Sequence, residues 1–158
     1  LIANTANEET EVEVAADTGA VDNVIGEGDV PSSVRTVPNT TGRHFTGAGG
    51  DRIRQIGTCK TLMRDSNGRE IGCQWRVADV TRALHSISRI AGPEDGDGDH
   101  DVLFNNKRGV VVPPGTVDKV LLALAKQKIK PITEYKRKGG LYVAKMKLSG
   151  FARPGQGQ

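Results

Sequence analysis

Apolar and polar positions alternate along this chain in short runs, and glycine, proline and asparagine separate the runs. Glu11-Val12-Glu13-Val14 has the period of two of a half-buried strand and runs on into Ala15 and Ala16. Val21, Val24 and Ile25 form a second apolar patch, and residues 26–43 read as a long irregular connection containing Pro31 and Pro38. Arg52–Ile56 predicts a strand, and Lys60–Arg64 with Arg69–Val77 predicts a β-hairpin around Asn67-Gly68. From Val77 to Ile90 two descriptions fit. Val80, Leu84, Ile87 and Ile90 have helical spacing, but a strand, a turn and one short helix fit as well. Val102–Phe104 and Gly109–Val112 predict short strands. Thr116 is placed to cap a helix that carries Val117, Val120, Leu121 and Leu124 on one face, with Pro131 beyond its end. Leu141–Leu148 alternates again and predicts a last strand. Residues 1–10 read as a loose tail, 151–158 as a disordered Gly/Pro/Gln tail, and 11–150 as one domain without internal repeats.

Composition sharpens this into a fold class. Only 36% of the 158 residues are hydrophobic and 4% aromatic, while glycine takes 20 positions. A helical bundle needs more Leu and Ala, so the expectation is a mainly β chain of short strands and glycine-containing turns, with one or two short helices. No apolar run approaches the ~18 residues of a membrane helix. The N-terminus lacks the basic-then-apolar pattern of a signal peptide, so an intracellular protein is expected; the absence of an initial Met reads as a piece of something longer.

Charge is uneven. Residues 1–30 hold eight acids and no Lys or Arg, whereas from Lys107 to the end twelve basic residues face only Asp118 and Glu134. Such a basic half can attract nucleic acid or an acidic partner through counterion release. Its cations are not interleaved with aromatics as single-strand binders require, so a solvated basic face is the favoured reading. Cys59 and Cys73 are too few for a disulfide scaffold and form no CxxC pair. A two-residue Asn67-Gly68 turn would set Leu62 opposite Cys73 and Cys59 opposite Arg76, which keeps the thiols too far out of register to bond. Two free, mostly buried thiols are expected.

Asp17-Thr18-Gly19-Ala20 is the sharpest chemical feature. An alternating strand feeds into it and Val24-Ile25 follows. By itself such a tetrad can be a plain strand-to-turn corner, with the Asp bonding its own backbone and the Gly taking a positive φ. In context, Asp17-Thr18-Gly19-Ala20-x-Asp22-x-Val24-Ile25 resembles the active-site loop of the retropepsins, the aspartic proteases of retroviruses and retrotransposons. Thr46-Gly47-Ala48-Gly49-Gly50 lies where their flap hairpin should be. Val77-Ala78-Asp79-Val80 leading to Leu84-His85-Ser86-Ile87 looks like the second loop crossing in the form seen in copia-type elements. There a Leu-x-Ser-Val/Ile string replaces the usual aliphatics and glycine. The closing Gly140-Leu141-Tyr142-Val143 is also similar to that group, so the resemblance spans roughly residues 11–148.

The resemblance implies a retropepsin-like acid-protease fold, a half-barrel of short strands with a glycine-rich flap. It implies an aspartic endopeptidase that cleaves a retroelement polyprotein inside the cell, in a retroelement particle. Metal-free peptide hydrolysis needs one carboxylate to activate water while a second protonates the amide. Two carboxylates ~3 Å apart cannot both ionise, so the pair holds one proton and supplies base and acid together. With a single Asp-Thr-Gly in the chain, the second Asp17 would come from a second copy across a two-fold axis. By the same analogy Thr18 would bond across that dimer and Gly19 would let the backbone approach the substrate. Ala20 and Asp22 would border the cleft, Val24 and Ile25 would line apolar side-chain pockets, and Gly47, Ala48, Gly49 and Gly50 would form the flap tip over an extended substrate. No cofactor and no metal are implied. Val21 stands where many retroviral enzymes carry an acid that binds substrate backbone and pairs with an Arg, so that contact should be missing or rest on Asp22.

The remaining signals are weaker. Asp95-Gly96-Asp97-Gly98-Asp99 suggests calcium, but His100 and Asn106 occupy the sixth and twelfth positions where an EF-hand needs Gly and Glu, so a solvated acidic turn is expected. His44, His85 and His100 lack ligand spacing, and His85 reads as a satisfied core or edge histidine. Trp75 and Val77 on one strand face read as core. Two other readings remain open: a catalytically inactive retropepsin-like module that dimerises or scaffolds, and a small basic β-domain that binds RNA through Lys126–Lys138.

Overall fold

The computed structural model describes residues 9–40, 44–46 and 52–151, the second stretch by its backbone alone. Strands β1 (Val14–Asp17), β2 (Val24–Gly26), β3 (Val37–Pro38), β4 (His44–Thr46), β5 (Arg52–Arg64), β6 (Glu70–Ala78) and β7 (Ala83–Ser86) precede helix α1 (Ile87–Ala91). Strands β8 (Asp101–Phe104) and β9 (Gly109–Val112), helix α2 (Thr116–Lys126), and strands β10 (Lys136–Lys138) and β11 (Leu141–Val143) follow. The chain is mainly β, with two short helices and no closed barrel among the described residues. Neither helix is long and apolar enough to cross a membrane.

Seven strands form one sheet in the order β1-β7-β2-β6-β5-β3, with β4 on β5. β1 pairs with β7 in parallel, as β2 does with β6; the other pairings are antiparallel. The strands expected at Arg52–Ile56 and Lys60–Arg64 are one continuous strand. Its pairing with β6 shifts register between Gln55 and Gly57.

The β5–β6 hairpin corrects the expected register. The Gly68 amide bonds Asp65 O at 3.0 Å, the Asp65 amide bonds Arg69 O, and Asp65 Oδ1 accepts from the amides of Asn67 and Arg69. Gly68 has φ +80°, so the connection is a turn closed by a left-handed glycine, one residue longer than a two-residue Asn-Gly turn. The extra residue moves the pairing by one: Cys59 faces Trp75 and Thr61 faces Cys73. Because a slip of one residue exchanges the faces of a strand, this shift puts both cysteines and Trp75 on the same side.

That side is the core. Ile25, Cys59, Cys73, Trp75, Val77 and Ala83 pack together, and Val12, Val14, Val30, Val34, Ile56 and Met63 close over them. Trp75 is buried as expected, and its indole Nε1 donates to Thr61 Oγ1 at 2.8 Å, so it brings no unsatisfied donor inside. Burial of each such large side chain contributes about 1.5–3 kcal/mol. The thiols are free and buried, as expected.

Between Val77 and Ile90 the strand-turn-helix alternative is the one observed. Ser86 ends β7 and its side chain caps α1 through the Arg89 amide. Thr116 does not cap α2; Gly115 occupies the cap position, and Thr116 Oγ1 donates to Pro113 O. Asp101 Oδ2 instead accepts the Val117 amide at 2.8 Å, so a carboxylate from β8 satisfies the helix start and faces its positive end. The last strand is shorter than expected and stops at Val143.

Candidate active site

Asp17 is the last residue of β1, beside Ser86 in the parallel pairing with β7. Its Oδ1 accepts the Gly19 amide at 2.7 Å; its Oδ2 has no partner among the described residues. Asp17 is half-buried, while Thr18 and Gly19 are exposed. Thr18 makes no side-chain hydrogen bond among the described residues. The Asp-to-backbone bond of a plain turn corner is present, but Gly19 has no positive φ.

Two side chains outside the Asp-Thr-Gly string brace this loop. Ser86 Oγ donates to Ala20 O at 2.6 Å. Its only proton is thereby used, so Ser88, 2.9 Å away, donates to Ser86 Oγ, which also accepts the Arg89 amide. Asn23 Oδ1 accepts the Ser86 amide at 2.9 Å, Asn23 Nδ2 donates to Gln74 O, and Asn23 O accepts the Arg76 amide. Loop, β7 and β6 are thus pinned by fully paired polar groups. Ser86, fully buried, and Ser88, 3% exposed, satisfy each other instead of standing as orphan hydroxyls. The Leu84-x-Ser86-Ile87 string stood out in the sequence as a resemblance to a loop crossing, but the contact of Ser86 with Ala20 was not expected. Asn23 carried no signal, because its role depends on three segments meeting.

Asp22, expected to border a substrate cleft, is tied to two arginines, which the sequence did not announce. Arg76 Nε reaches Asp22 Oδ2 at 2.6 Å, and Arg89 donates from Nε at 2.9 Å and from its terminal nitrogen to Asp22 Oδ1. Burial pushes the Asp22 carboxyl up, but the hydrogen bonds and charges of Arg89 and Arg76 prevail and hold it below its ordinary value. The Arg pairing that Val21 cannot make is therefore present one residue later. Val21 is exposed, and a Cβ on Gly140 would fall 2.6 Å from Val21 Cγ1, so only glycine lets the β10–β11 turn lie this close to the loop. A cleft of about 420 Å³ opens there, lined by Val21, Asp22, Ser88, Arg89, Arg137 and Gly140 among others.

Val24 and Ile25, expected to line apolar pockets, are buried within the chain itself, Ile25 in the central cluster. Gly47, Ala48, Gly49 and Gly50 lie outside the described residues. A Cys–His contact was not anticipated: His85 Nε2 is 3.7 Å from Cys73 Sγ, and the imidazole stacks on Trp75 with centroids 5.4 Å apart. Burial pushes the Cys73 thiol up to about 11 and the His85 imidazole down, so both are neutral near pH 7. A protonated, buried thiol is no nucleophile, and His85 lies half-buried between Cys73 and Trp75. No cluster of metal-ligating side chains occurs among the described residues. His100 Nδ1 lies 3.1 Å from Ile90 O. No family model, no curated protein and no solved structure matches this chain.

Proposed function

We propose that the chain is an aspartic endopeptidase that works as a homodimer on extended polypeptide segments, in keeping with its resemblance to the retropepsins. One observation carries the reading: Asp17 stands in a loop braced by Ser86 and Asn23, with one carboxylate oxygen on the Gly19 amide and the other unpartnered among the described residues. A carboxylate fixed by one oxygen is preorganised to act through the other. A second copy brings the second Asp17. One carboxylate takes a proton from water, whose oxygen attacks the peptide carbonyl carbon. The partner carboxyl protonates the oxyanion, and proton transfer to nitrogen lets the C–N bond break. The substrate class is a polyprotein with apolar residues at the scissile bond.

Replacing Asp17 by Asn keeps the shape and the bond from Gly19 but removes the base. The expected result is a loss of roughly 10²–10⁴-fold in peptide cleavage, with the same far-UV circular dichroism and the same sedimentation as the parent. Undiminished cleavage by Asp17→Asn overturns the proposal, as does a parent chain that is monomeric under the conditions where it cleaves.

A further inference from the structure

We infer that the segment from Asp101 to Phe151 is a binding surface for single-stranded polynucleotide, independent of the Asp17 site. From Lys107 onward eleven basic residues are described, and all but Arg137 are exposed. None of the lysines among them makes an ion pair or a side-chain hydrogen bond with a described residue. The acidic N-terminal part does not neutralise them. Among the described residues its ion pairs run to arginines that precede the last third: Glu9 to Arg64, Glu13 to Arg82, and Asp22 to Arg76 and Arg89. The positive charge of the last third is left to solvent, at the ionic cost that a polyanion relieves by releasing counterions.

Aromatic side chains in the same segment also face water. Phe104 and Tyr135 are 55% and 57% exposed, and Phe151 almost completely, in a segment where no residue is buried. After α2 the chain forms a groove of about 570 Å³ whose walls are Leu121, Ala125, Ile129 and Pro131, flanked by Lys128 and Lys130. Apolar walls with a lysine rim match the two needs of a single strand: bases seek flat apolar contact, and phosphates seek cations. Tyr135, five residues beyond Lys130, supplies a stacking face. Duplex would hide its bases and leave the exposed aromatics and the groove unused.

The test titrates the full chain against fluorescein-labelled 20-nucleotide single-stranded RNA and DNA, the corresponding duplex, and poly-glutamate. Single strands of either kind should bind best. Four contacted phosphates would make binding about 50-fold weaker at 200 mM than at 50 mM salt. Lys126→Gln/Lys128→Gln/Lys130→Gln should flatten that dependence and weaken binding roughly tenfold or more. Tyr135→Ala should weaken single-strand binding by roughly tenfold while leaving the salt slope unchanged. Far-UV circular dichroism confirms that each variant is folded, and Asp17→Asn should bind like the parent, which separates this site from the proposed protease. Absence of single-strand binding at 50 mM salt overturns the inference. So does tighter binding of duplex or poly-glutamate, or unchanged binding by both variants.

Discussion

The central sheet and the segment after it are built from equally regular sequence, and only one of them has an interior. Between Val14 and Ala91 the chain buries Ile25, Cys59, Trp75, Val77 and Ala83 against one another. Between Asp101 and Phe151 no residue is buried, although this stretch holds two hairpins and the longer helix. In the sheet, strands distant in sequence meet: β1 with β7, and β2 with β6 and β7. In the segment, pairing is between neighbours, β8 with β9 and β10 with β11. Local hydrogen bonds are enough to define hairpins and a helix, but burial needs non-local partners. The braced Asp17 loop belongs to the first region and the solvated cations to the second.

The largest contrast is expected in stability. Trp75→Ala should cost about 3–5 kcal/mol, read from urea unfolding, because it empties a packed site and strands the Thr61 hydroxyl. Leu122→Ala, at a position 58% exposed on α2, should change stability by less than about 0.5 kcal/mol. Similar costs for the two would erase the distinction between the regions, and a large cost for Leu122→Ala would mean that α2 is covered in solution.

A smaller effect is expected at the edge of the candidate site. Asp22→Asn gives up charge-assisted bonds to Arg76 and Arg89 and should cost about 1.5–3 kcal/mol at neutral pH. The folded carboxyl titrates below its ordinary 3.8, so this contribution is fully present above that pH and is lost as pH falls through the folded value. Parent and variant should converge in stability under acid, whereas a constant gap down to pH 2 would show that the arginine charges are not what matters.

The smallest effect is a slope. His85 is held below its ordinary 6.5 by burial, so the unfolded chain takes up its proton first as pH falls. Parent stability should decline as pH drops below about 6.5 and the His85→Gln variant should decline less, compared by unfolding midpoints at pH 7.5 and 5. An identical decline in both would place the imidazole in water rather than against Trp75.

Much of the sheet region is legible in the sequence. Alternation marked β1, the Asn67-Gly68 signal marked the hairpin, and Trp75 and Val77 were readable as core. The register was not, because Asn-Gly fits both a two-residue turn and a longer one. The Asp65 carboxylate that selects the longer form acts through backbone amides that the sequence does not display. At the candidate site the resemblance singles out Asp17, Thr18, Gly19, Ala20 and Asp22, and also Val24 and Ile25, which the fold buries in the chain itself; Gly47, Ala48, Gly49 and Gly50 lie outside the described residues. It does not single out Asn23 and the two arginines on Asp22, since each acts across fifty or more residues of chain.

The sequence by itself determined that this protein is mainly β, that its first thirty residues carry acids without Lys or Arg, and that its last third is basic. Alternation and charge counts are local properties, and local properties survive any folding; that the two buried thiols stay unbonded was decided with the hairpin register. Tertiary structure alone decided which regular elements acquired a core, and which carboxylate the arginines hold. It also decided that the lysines of the last third, and Phe104, Tyr135 and Phe151, face water. Those outcomes depend on which distant segments come into contact, and contact is where burial, hydrogen bonding and charge pairing gain their energy.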